Sequence, residues 1–82
     1  MESNTVWYVA ISDGYWGCGH TAEEAKKEMF KAGATRIQSR IVKKLPKGAM
    51  DPWVDDFGRI CWDWEDGKPR PGRCEIVERK GL

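Results

Sequence analysis

The sequence lacks the features that mark most membrane, secreted and disulfide-bonded proteins. Its 82 residues contain no apolar run near the roughly 20 residues needed to cross a bilayer. Residues 1–20 lack the basic start and the long apolar stretch of a signal peptide. The three cysteines form no Cys-x-x-Cys pair, and their odd number does not favour a disulfide framework. We therefore expect a cytoplasmic protein with reduced thiols and no membrane partner.

Residues suited to metal binding or catalysis are also scarce. Cys18, His20, Cys61 and Cys74 are the four possible soft ligands, but Cys61 and Cys74 stand alone in the sequence. A nucleophilic Cys18–His20 dyad would need a third group to orient the base, and a short chain has little room for a substrate pocket. The sequence predicts a non-enzymatic protein without a metal or cofactor, and leaves zinc at these four residues as an open alternative.

Three glycines in the stretch DGYWGCGH, residues 13–20, precede a predicted helix. Their spacing satisfies neither the dinucleotide-binding nor the P-loop pattern. A hairpin turn at Gly14, a flat strand at Gly17 and a helix entry at Gly19 explain them equally well. This stretch is therefore interpreted as having a structural role, with Cys18 packed under the helix and His20 exposed.

The net charge of +1 conceals an uneven distribution along the chain. Residues 22–48 carry eight basic and three acidic side chains, whereas residues 49–66 carry six acidic and one basic. Such blocks are typical of solvated faces of mixed sign. They are equally compatible with a dipolar molecule that is steered toward a charged partner.

The order of elements predicts one α+β domain over residues 1–82. Thr21 is an N-cap with Glu24 completing a capping box, and Gly33 ends the helix. Ala22, Ala25 and Met29 lie on its apolar face. We expect a two-layer β-β-α-β-β-β fold, with this helix on a mainly antiparallel sheet of four to five strands. The predicted strands are residues 5–12, 15–18, 36–44, 53–55, 59–64 and 74–79, with loops at 45–52 and 65–72.

The stretch DPWVDDFGRICWDWED, residues 51–66, alternates tryptophans with carboxylates. Five tryptophans are many for the core of so small a domain, so we expect one or two to be available to a partner. Aromatic residues supply binding hot spots, and carboxylates supply steering or solubility. The predicted partner-binding residues are Trp53, Asp55, Asp56, Trp62, Asp63, Trp64 and Asp66.

The basic segment 26–47 supports an alternative function, that of a small nucleic-acid-binding regulator. Basic residues there can form a stripe across the helix and the following strand, with aromatic residues nearby to stack on bases. The nearly neutral chain argues against a dedicated nucleic-acid binder. The residues predicted for this alternative are Lys26, Lys27, Lys31, Arg40, Lys43 and Lys44.

The stretch WYVAISDGYWGCGHTAEEAKKEM, residues 7–29, resembles a type of small protein common in phages and mobile elements. In that type an aromatic-rich strand is followed by a Gly-Tyr-Trp-Gly turn and a Thr-x-x-Glu-Ala helix. The resemblance covers about half of the chain, with VDDFGRICWDW as the following hairpin. Many characterised proteins of that size and style are anti-defence proteins such as anti-CRISPRs. The resemblance implies a stoichiometric inhibitor, monomeric or homodimeric, that covers a larger protein or nucleoprotein complex in the host cytoplasm.

Overall fold

The computed structural model describes residues 6–81, which form six strands and one helix. In chain order the elements are β1 (Tyr8–Ser12), β2 (Tyr15–Gly19), α1 (Ala22–Ala32), β3 (Arg40–Lys44), β4 (Ala49–Val54), β5 (Ile60–Trp64) and β6 (Glu75–Lys80). Neither α1 nor any other helical stretch of the described residues is long and apolar enough to cross a membrane.

Strand β1 is the centre of the fold. It pairs antiparallel with β2 on one side and with β3 on the other, and β6 extends the sheet beyond β3. Its turn to β2 places Asp13 and Gly14 at φ values of 44° and 85°, as the predicted type I′ hairpin requires. Val9 and Ala10 are fully buried, which confirms that this apolar strand is covered on both faces.

The helix is capped at both ends, and its apolar face packs on one face of this sheet. The Thr21 side chain accepts a hydrogen bond from the Glu24 amide at 3.0 Å, and the Glu24 carboxylate accepts one from the His20 amide at 3.0 Å. Gly33, at φ 133°, ends the helix as predicted. Met29 is fully buried in a cluster with Ala10 and other small apolar residues.

Glycines in β2 allow the helix to approach closely. A Cβ on Gly17 would lie 2.6 Å from the carbonyl carbon of Glu28, and one on Gly19 would lie 2.5 Å from the Glu24 Cβ. No real side chain tolerates such distances, so the helix sits directly on the backbone of β2. Cys18 points to the other face of the sheet, which corrects its predicted place under the helix.

The hairpin of β4 and β5 covers that other face. Val9 and Leu45, from the four-stranded sheet, form a buried cluster with Ala49, and side chains of β5 pack around it. The predicted α+β class and the helix on a mainly antiparallel sheet are confirmed. The strands, however, number six and divide into a four-stranded sheet and a two-stranded one, so that the hairpin forms a third layer.

Two element boundaries differ from the sequence-based expectation. The strand predicted for residues 36–44 begins only at Arg40, because residues 35–38 form a turn in which the Thr35 carbonyl accepts from the Gln38 amide at 3.3 Å. The predicted loop 45–52 contains the start of β4 at Ala49. A bulge within β4 accommodates Pro52 and leaves Asp51 in the left-handed region at φ 48°. The first difference comes from this local turn, and the second from cross-strand pairing that local patterns do not encode.

Candidate contact surface on the hairpin

The hairpin residues alternate between a buried face and an outward face. In β5, Ile60, Trp62 and Trp64 share one face, as the alternation of the sequence predicted, and that face packs against the core. Cys61 and Asp63 lie between them, and face outward with their cross-strand partners, Trp53 and Met50. The buried face attaches the hairpin to the sheet, and the outward face is left for solvent or a partner.

Of the three tryptophans predicted to bind a partner, Trp62 and Trp64 therefore lie on the packed face. Both are half-buried, and their rings meet edge to face with centroids 5.9 Å apart. The Arg70 guanidinium lies 4.3 Å from the centroid of the Trp64 ring and is held by two hydrogen bonds to Asp66, of 2.9 and 2.7 Å. Asp66 thus holds Arg70 over the Trp64 ring at the end of the hairpin.

Trp53 is the tryptophan that the structure leaves accessible on the outward face, with 41 % of its surface exposed. Its partner across the strands is Cys61, and Met50 opposite Asp63 continues the same face. Asp63 is exposed and has no ion-pair partner among residues 6–81. This face combines an aromatic ring and a thioether with a carboxylate at its margin.

The tip of the hairpin is a preorganised turn. The Asp55 carboxylate accepts hydrogen bonds from the amides of Phe57 and Arg59, both at 2.9 Å, and from the Arg59 Nε at 3.0 Å. The hydrogen bond from the Arg59 amide is the largest cause that lowers the pKa of Asp55 below its usual value. Gly58 follows at φ 79°, which fits a type I turn closed by a residue in the left-handed region. Asp55 therefore shapes the turn through its hydrogen bonds.

Phe57 stands at this turn with 82 % of its surface exposed, and the Arg59 guanidinium lies 5.3 Å from its ring centroid. Sequence reasoning missed Phe57 as a site residue. The signal was present, because an Asp three residues before a Gly marks a turn whose corner residues must face solvent. We define the hairpin surface as Met50, Trp53, Asp56, Phe57, Cys61 and Asp63.

The six basic residues predicted for nucleic-acid binding do not form one stripe. Lys43 follows Val42 in β3, and successive side chains of a strand point to opposite faces of the sheet. Because Val42 lies under the helix, Lys43 faces the hairpin side of the sheet. Lys44 lines a different cleft, near Pro46 and Arg73. Lys26 and Arg40 are both paired with Glu78, at 2.9 and 3.2 Å. Only Lys27 and Lys31 remain as exposed cations of that set on the helix.

Burial affects two of the three cysteines, and an aromatic ring contacts the histidine. Burial, more than the nearby charges, raises the pKa of the Cys18 thiol, and burial also raises that of Cys74; a raised pKa makes a thiol less nucleophilic at neutral pH. The His20 and Trp7 rings have centroids 4.1 Å apart and planes inclined by 50°, and the His20 Nδ1 lies 3.4 Å from the Val6 carbonyl oxygen. Across residues 6–81, no group of three or more His, Cys, Asp or Glu side chains is arranged to hold a metal ion.

With the geometry of the hairpin surface established, the chain was compared with known proteins. No protein-family model, no curated protein and no solved structure matches it.

Proposed function

We propose that this protein is a non-enzymatic binding protein that acts by protein–protein contact through the hairpin surface. The observation that carries the proposal is Phe57, a large apolar side chain 82 % exposed on a turn that hydrogen bonds to Asp55 hold in place. An exposed aromatic residue on a rigid turn loses little conformational freedom on binding, so more of its contact energy contributes to affinity.

The chemistry of the surface indicates the partner. Trp53 and Phe57 are of the residue class that fills apolar pockets at interfaces. The neighbouring Asp56 and Asp63 are exposed, without ion-pair partners among the described residues. These carboxylates would attract a partner surface rich in lysine and arginine and orient it during association. The partner is therefore a protein with an apolar pocket rimmed by basic residues.

The resemblance of residues 7–29 to small phage and mobile-element proteins supports a more specific role. An inhibitor of a host defence complex, such as an anti-CRISPR protein, acts by covering a surface of a larger protein or nucleoprotein complex. Defence complexes that bind nucleic acid carry basic surfaces, which suit the acidic hairpin. We infer this role for the chain, acting in the cytoplasm of the host cell.

An affinity capture from the source cell tests the proposal when it is paired with surface variants. Phe57→Ser and Trp53→Ser remove the aromatic contacts. Ile37→Ser is the matched control, because Ile37 is 78 % exposed in the turn between α1 and β3, outside the hairpin surface. A specific partner should be retained by the wild type and by Ile37→Ser.

The captured partner is then purified and its binding measured by calorimetry. Hot-spot residues contribute about 2 kcal/mol or more, so each hairpin variant should raise Kd by at least roughly 30-fold. Equal Kd values for the wild type, Phe57→Ser and Trp53→Ser would overturn the assignment of the hairpin surface.

A further inference from the structure

A second surface, beside the helix, gathers cations around one aromatic ring. It is a cleft between α1 and the segment that leads into β3. The residues that line it are Glu23, Lys26, Lys27, Phe30, Lys31, Arg36 and Arg40. Five cations face one carboxylate there, so the cleft is strongly positive although the whole chain carries a net charge of only +1.

Two of these cations are committed to the fold. Glu78 on β6 accepts from the Lys26 Nζ at 2.9 Å and from the Arg40 Nε at 3.2 Å, and both cations are mostly buried. Lys31 has only a long, exposed contact of 3.5 Å with Glu28, which contributes little. The charge available to a ligand therefore comes from Lys27, Lys31 and Arg36.

Arg36 is also placed as a stacking platform. Its guanidinium lies 4.7 Å from the centroid of the Phe30 ring, while the residue as a whole is exposed. Neither Arg36 nor Lys27 has a carboxylate partner within residues 6–81. An exposed guanidinium beside an aromatic ring can stack on a nucleic-acid base, and neighbouring lysines suit the phosphates.

We propose that this cleft binds single-stranded nucleic acid. Lys27 and Lys31 contact backbone phosphates, and Arg36 contacts a phosphate while a base stacks on its guanidinium. The cleft lies on the helix side of the central sheet and the hairpin surface on the other side. This inference is therefore independent of the proposed function, and a single molecule can use both surfaces.

Fluorescence anisotropy with a labelled oligothymidylate of about 12 nucleotides tests the proposal. Three phosphate contacts with a single strand give a log–log salt slope of about −2, so affinity should fall roughly 20-fold between about 50 and 200 mM salt. Lys27→Glu and Arg36→Glu should each weaken binding at least about tenfold at the lower salt. Lys68→Glu is the matched control with the same charge change in the loop after β5, and should change affinity less than about twofold.

Two further variants separate the alternatives. Arg36→Lys keeps the charge but loses the planar group, so it should weaken oligothymidylate binding about fivefold and leave inorganic polyphosphate binding unchanged. Phe57→Ser should bind the oligonucleotide like the wild type, since it alters only the hairpin surface.

Three results would each overturn the inference. The first is no salt-dependent binding at the lower salt, or an equal loss in Lys68→Glu. The second is equal affinity for polyphosphate and oligothymidylate with no effect of Arg36→Lys, which would show a general polyanion site. The third is tighter binding of a duplex than of the single strand. Far-ultraviolet circular dichroism of each variant establishes that a loss is not due to unfolding.

Discussion

At the scale of single residues, glycine at position 17 determines how closely the helix approaches the sheet. Gly17→Ala would force the new Cβ against the backbone of Glu28 and Met29. Backbone cannot move as a flexible side chain does, so we expect the free energy of unfolding to fall by about 1–3 kcal/mol or more. Urea unfolding measures the change. Gly81→Ala is the control, since nothing lies within 4 Å of its Cβ, and a Gly17→Ala variant as stable as this control would contradict the close packing.

Asp55 provides a second prediction at this scale. Because its folded pKa lies below the usual value of 3.8, its stabilisation of the turn is present above that pH and is lost as pH falls through the folded pKa. Nuclear magnetic resonance should show the Phe57 and Arg59 amide signals titrating together with a midpoint below 3.8. Asp55→Asn should abolish this titration. Amide signals that titrate at the ordinary value would exclude the described hydrogen bonds.

Thiol reactivity follows from the burial of Cys18 and Cys74. Since burial raises the pKa of both thiols, less thiolate is present at neutral pH than in the unfolded chain. Alkylation by iodoacetamide, followed by mass spectrometry, should be slower at both positions in the native protein than in urea. Faster native alkylation of Cys18 would revive the nucleophilic dyad with His20.

At the scale of elements, Glu78 connects β6 to both the helix and β3 through Lys26 and Arg40. Hydrogen bonding to Lys26 is the main cause that holds the pKa of Glu78 below its usual value of 4.5. Its contribution is therefore complete above that pH and is lost as pH falls through the folded pKa. Glu78→Gln should lower the free energy of unfolding by about 1 kcal/mol at neutral pH.

The pH dependence distinguishes this ion pairing from simple packing. Urea unfolding of the wild type and Glu78→Gln should converge as the pH is lowered from about 7 to about 3. A constant difference across that range would mean that the carboxylate charge is not responsible. Glu65→Gln is a suitable control, because Glu65 is exposed and has no ion-pair partner among the described residues.

Elements with strong local signals were predictable from the sequence. The capped helix from Thr21 to Gly33 and the Asp13–Gly14 hairpin depend on short-range hydrogen bonds and positive φ angles, which particular residues encode directly. Alternation also showed that Ile60, Trp62 and Trp64 share one face of β5. The division into two sheets was not predictable, because it depends on which strands pair across long distances.

The candidate site was predicted only in part, for a related reason. The hairpin was predicted over 53–64 and lies at 49–64, and Trp53, one of three tryptophans expected to include exposed members, is exposed. Alternation alone cannot say which face of an isolated hairpin meets the sheet, so the sequence left open which of Trp53, Trp62 and Trp64 are exposed. Arg36 lies in the basic segment predicted for nucleic acid, but its position over the Phe30 ring depends on tertiary packing that the sequence pattern does not show.

At the scale of the whole molecule, the layers differ in how they are attached. Every residue of β1 pairs with β2, and most also pair with β3. The hairpin forms a separate sheet that meets the rest through side chains around Val9 and Leu45. Hydrogen exchange should therefore be slowest at the β1 amides and faster in β4 and β5. Equal protection of both sheets would indicate a single cooperative unit.

The alternation within β4 and β5 has a consequence for how this protein can evolve. Residues that anchor the hairpin, such as Trp62, and residues that face outward, such as Trp53, occupy interleaved positions on the same short strands. Substitutions at outward positions leave the anchoring contacts intact. Selection can therefore diversify one side of the hairpin quickly, to follow a changing target, while the other side preserves the fold.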